Sequence, residues 1–87
     1  MITSAQIRAA RALLGIDQRR LAEVSGLSLP TIQRMEASDG RVQGNVGSLV
    51  KVVDAIECAG VELIGDGAAS ADGGYGVRLK HKIELVE

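Results

Sequence analysis

The chain is 87 residues long, 46% hydrophobic and 24% charged, with a formal net charge of −1 and a single aromatic residue, Tyr75. That composition excludes a reader of single-stranded nucleic acid that stacks bases on aromatic platforms, and its one cysteine, Cys58, makes neither an internal disulfide nor a metal centre. A chain this short makes one small domain near the size at which a core only just outweighs chain entropy, so a second subunit is an expected source of burial.

In chain order, Thr3 and Gln6 form a capping-box pattern, and Ile7, Ala10, Leu13 and Leu14 recur at helical spacing up to Gly15, a good left-handed stop. Asp17 is placed to cap a second helix from Gln18 to about Ser25, with Leu21, Ala22 and Val24 inward and Gly26 as terminator. In "GLSLPTIQRMEAS" a proline deep in a helix would break it, whereas a proline in the first turn costs little. With Ser28 as cap and Pro30 in the first turn, a third helix runs to near Ala37, with Leu29 and Pro30 pushed outward at its tip.

The turn-rich "SDGRVQGN" follows, and a fourth helix is predicted to begin around Val46 to Ser48 and to be closed by Gly60. Val46, Leu49, Val50, Val53 and Ile56 form its apolar stripe, and Val52, Ala55 and Ala59 a second apolar edge. Beyond Gly60 the period changes: "VELI" suits a short strand, "GDGAASADGGYG" a loop, and "VRLKHKIELVE" alternates Val77, Leu79, His81, Ile83 and Leu85 with mostly charged neighbours. The expected fold is mainly α, a bundle of four to five helices over residues 1–60 followed by a β-hairpin or strand pair over 61–87.

The second and third helices make one unit of constrained positions. Ala22 is small enough for close helix approach, Gly26 allows a positive φ in the tight turn, and Leu21, Leu27, Ile32 and Met35 fill the wedge between the helices. Together they specify a helix-turn-helix. On this unit, "QRRLAEVSGLSLPTIQRME", and on the "RALLGIDQ" leading into it, the sequence resembles the Cro and phage-repressor-like regulators often called the Xre family, over residues 3 to about 60. The resemblance implies a lambda-repressor-like bundle whose third helix enters the DNA major groove, as a homodimer on a palindromic operator.

By position, Gln18 matches the family glutamine that holds a backbone phosphate at the start of the second helix, and Arg19 lies beside it. Ser28, Leu29, Pro30, Thr31, Gln33 and Arg34 occupy recognition-helix slots. Leu29 and Pro30 depart from the polar residues often found there; they suit thymine methyls, so base reading falls on Gln33 and Arg34. Arg41 and Asn45 match a phosphate-contacting loop, and Arg11 and Glu36 a structural ion pair between the first and third helices.

The charge distribution agrees with such a partner: residues 1–43 balance to +2 with arginine as their only basic residue type, residues 44–66 to −3, and the rest to zero. Cys58 reads as a small core or interface residue, and His81 has no companion for a catalytic triad or a metal. No enzyme activity and no cofactor are expected. With neither a signal peptide nor a membrane span in view, the expected compartment is the cytoplasm.

The tail lies outside the resemblance. Its strands are too few to stand alone in water, so Val77, Leu79, Ile83 and Leu85 are expected to form a dimer interface laid over the second apolar edge of the fourth helix. The expected activity is a DNA-binding transcriptional regulator, a repressor acting by occupancy, its own promoter included. The alternative is an antitoxin-like or other protein-binding module that adds its C-terminal strand to a partner.

Overall fold

The structure, a computed structural model, describes residues 2–42, 44–65 and 74–80. It contains helices α1 (Ser4–Leu14), α2 (Gln18–Ser25), α3 (Leu29–Ala37) and α4 (Val46–Cys58), then strands β1 (Val61–Ile64) and β2 (Gly76–Leu79) paired as an antiparallel hairpin. Local chemistry accounts for the starts of α1, α2 and α3 and the ends of α1 and α2. Thr3 and Gln6 cap α1 reciprocally, and the Asp17 and Ser28 side chains accept from the N–H groups of Arg20 and Thr31. Gly15 and Gly26 adopt φ of 70° and 75°, the left-handed conformation that lets the chain leave α1 and α2 abruptly.

The core is aliphatic. Ile7 and Ala10 of α1, Leu21 and Ala22 of α2, Ile32 and Met35 of α3, and Leu49, Val52 and Ile56 of α4 converge, with Val61 of β1 closing one end. The rotation of several helices differs from the periodic reading. Leu13, Val24, Val46 and Val50 are exposed, Val46 at 66%, while Ser25 and Gln6 are buried instead. The inward line of α4 is Leu49, Val52 and Ile56, because α4 meets α2 on one side and β1 on the other. Cys58 is exposed rather than part of the core.

The hairpin also sits differently. Its register pairs Val61 with Leu79, Glu62 with Arg78, Leu63 with Val77 and Ile64 with Gly76. Leu63 and Val77 pack on the chain's own core, and β2 lies against α1 rather than across α4. Ile83 and Leu85, expected to continue the interface, lie outside the described residues, as does His81. Glu62 and Arg78 form an exposed ion pair at 3.1 Å.

Buried Gln6 joins hairpin and bundle. Its Oε1 accepts from the Thr3 N–H at 2.9 Å, and its Nε2 donates to the carbonyls of Ile64 at 2.9 Å and Gly76 at 3.0 Å. Replacement of Gln6 by alanine removes its bonds to both carbonyls and opens the cap, at a cost of about 1–3 kcal/mol. Hydrogen exchange should show the β1 and β2 amides losing protection before those of the helices; equal loss throughout would exclude a hairpin clasp.

Candidate nucleic-acid interface

Helices α2 and α3 meet at the turn around Gly26, where the Leu27 N–H donates to the Ala22 carbonyl at 3.0 Å. Leu21, Ala22, Ile32 and Met35 are buried at the junction, and Leu27 packs partly against it. This orients α3 so that Pro30, Gln33, Arg34 and Ala37 are exposed. Leu29 is not part of that outward tip: it is half-buried against the core, leaving Pro30 as the exposed apolar residue at the start of the helix.

A short polar chain runs along α3. The Ser28 and Thr31 hydroxyls are 2.8 Å apart, and Arg34 Nη2 donates to Thr31 Oγ1 at 3.3 Å. Arg34 makes no ion pair among the described residues, where the pairs join Arg11 to Glu36, Arg20 to Glu23 and Arg78 to Glu62. Its guanidinium is loosely tethered and retains donors for a guanine edge or a phosphate.

Behind this face lies the Glu36 carboxylate, its side chain only 4% exposed. Arg11 grips it with a fork, Nε to Oε2 at 2.6 Å and Nη2 to Oε1 at 2.8 Å, while Gln18 Nε2 donates to Oε1 at 3.1 Å. Burial pushes the Glu36 carboxyl up, but the hydrogen bonds from Arg11 and Gln18 and the charges of Arg11 and Arg8 outweigh it, leaving its pKa below the usual carboxylate range. The hydrogen bond to Glu36 likewise raises the Arg11 guanidinium above its ordinary value, against partial desolvation. Three helices are thereby joined at one carboxylate. Arg8, given no role on sequence grounds, adds a further link by donating to the Glu36 backbone carbonyl at 2.6 Å. Its spacing from Arg11, one helical turn, is the signal that could have found it.

The residues expected to face the DNA backbone divide. Arg19 is exposed at the start of α2, but Gln18 beside it is turned toward Glu36, and the Asp17 carboxylate already occupies the Arg20 N–H in that first turn. Gln18 therefore does not point away from the protein. Asn45 caps α4, its Oδ1 accepting from Gly47 and Ser48. Arg41 is exposed and donates to the Tyr75 hydroxyl, bringing the loop after α3 to the base of β2. Tyr75 was not foreseen as a functional residue, although being the only aromatic side chain marks it.

The described residues contain no group of three or more histidine, cysteine or acidic side chains able to hold a metal, and no helix long and apolar enough to cross a membrane. A family model described as helix-turn-helix matches residues 7–58, which span all of α2, α3 and α4 and α1 from Ile7 onward. No curated protein matches the chain.

Proposed function

The chain belongs to the helix-turn-helix family whose model it matches, and from that membership we propose that it is a sequence-specific regulator of transcription of the Cro and phage-repressor type, binding double-stranded DNA as a homodimer on inverted-repeat operators. The observation that carries this reading is the exposed face of α3, where Pro30, Gln33 and Arg34, which makes no ion pair among the described residues, project from a unit fastened to α1 and α2 through Glu36. With α3 in the major groove, Arg34 pairs with a guanine edge, Gln33 with an adenine edge, and Pro30 touches a thymine methyl. Arg19 and the amide of Asn45 fall to the phosphate backbone on either side.

Exposed Val46, Val50 and Leu79 supply apolar surface for a second copy to cover. The regulator represses by occupying its operator, its own promoter among the sites. Selection from random duplexes should return an inverted repeat with half-sites about 10 base pairs apart or a multiple of that turn. Arg34→Ala should then cost about 1–3 kcal/mol of specific binding and relax preference at one base pair. Unchanged affinity for operator and scrambled duplexes would remove α3 from the groove, and a monomer at micromolar concentration in sedimentation would remove the homodimer.

A further inference from the structure

Arg41 and Tyr75 are far apart in sequence and adjacent in space. Both Nε, at 3.2 Å, and Nη2 of Arg41 donate to the Tyr75 hydroxyl oxygen, and both side chains are exposed. A phenol oxygen that accepts from a guanidinium keeps its own O–H to donate elsewhere, and the guanidinium keeps the rest of its five N–H groups. Polarisation by the cation strengthens that phenolic donor. No acidic side chain pairs with Arg41 among the described residues.

The pair is held by a closed circuit of hydrogen bonds. The backbone around Arg41 is bridged to the N-terminal segment, Ser4 N–H to the Gly40 carbonyl and Val42 N–H to the Ile2 carbonyl, each at 2.9 Å. Thr3 in that segment is capped by Gln6, which also donates to the Gly76 carbonyl next to Tyr75. The Tyr75 hydroxyl returns to Arg41. The hairpin thus fixes, from outside the helix-turn-helix, a cluster of donors just past the exposed C-terminal end of α3.

We infer that Arg41 and Tyr75 together form a clamp for one backbone phosphate of the bound duplex, an inference that rests on the DNA-binding reading and deepens it. The guanidinium supplies the charge and the phenol a second donor, an arrangement suited to two oxygens of one phosphate group. The hairpin is then part of the DNA-binding surface.

The test measures the full chain and the variants R41A, Y75F and R41A/Y75F on selected operator and scrambled duplexes across a salt series, with R34A alongside. R41A should weaken both duplexes by about tenfold and reduce the salt slope by about 1, because one phosphate is no longer neutralised. Y75F keeps the charge, so it should weaken both duplexes about threefold with the salt slope and melting temperature unchanged. The double variant should bind no worse than R41A. A wild-type salt slope in R41A, wild-type affinity in Y75F, or additive losses in the double variant would each overturn the clamp, while R34A sensitivity would still uphold the regulator. Absence of binding by the unaltered chain to every duplex would overturn both.

Discussion

Replacing Glu36 with alanine is expected to cost about 3–5 kcal/mol, the range for removing one partner of a buried, well-formed ion pair. The carboxylate is almost wholly buried and accepts from Arg11 twice and from Gln18 once, whereas the Arg11 side chain keeps 21% of its surface in contact with water. Loss of the acceptor leaves the guanidinium half-desolvated beside the Ile16 carbonyl, which it reaches at 3.3 Å, and frees three helices from their common anchor. For a domain of this size, with stability on the order of 4–13 kcal/mol, chemical denaturation should reveal a much lower midpoint or a largely unfolded chain. Exchanging Arg11 and Glu36 together for apolar residues should cost less than the two single changes added; simple additivity would show that the pair does not act as a unit.

The same carboxylate gives a pH dependence of definite sign. Its pKa is lower in the folded chain than the usual value near 4.3 for an unfolded glutamate, so the stability it contributes is full above that value and disappears as pH falls through the folded-state pKa. Glu36→Gln should therefore flatten the acid limb of stability against pH below about pH 4 and leave its neutral limb parallel to that of the unaltered chain. An acid limb as steep as before would assign the effect to other carboxylates.

Ile32→Ala should carry the second large penalty, about 2–5 kcal/mol, because Ile32 is fully buried on the inner side of α3 and a deleted branched side chain leaves a cavity that rigid helices fill poorly. The loss also bears on recognition, since Ile32 precedes exposed Gln33 and Arg34 on the same turn. Thermal denaturation would show the fall in stability. Under conditions where the variant remains folded, operator affinity should fall more than affinity for scrambled DNA, as a tilted α3 misplaces base contacts before phosphate contacts. A variant as stable as the original would mean that Ile32 is not the wedge between α2 and α3.

The helices and their ends were legible in the sequence because the interactions that set them span one turn of chain. Thr3 with Gln6, Asp17 with Arg20, Ser28 with Thr31, and the left-handed Gly15 and Gly26 are local devices, as is the spacing that brings Ala22, Gly26 and Ile32 together. Tertiary contacts decided how each helix is turned. Leu13, Val24, Val46 and Val50 lie on plausible apolar stripes yet face water, and buried Gln6 and Glu36 occupy places that a hydropathy pattern assigns to aliphatic side chains. A helical period marks an apolar stripe, but the neighbouring elements choose which edge of it is covered. The links made by Gln6 to Ile64 and Gly76, by Arg11 to Glu36 and by Arg41 to Tyr75 cross 58, 70, 25 and 34 residues of chain. Of these, only Arg11 with Glu36 was anticipated, through the family resemblance. No local propensity encodes such pairings; they exist because packing the helices and the hairpin around one aliphatic core brings those side chains within hydrogen-bond reach.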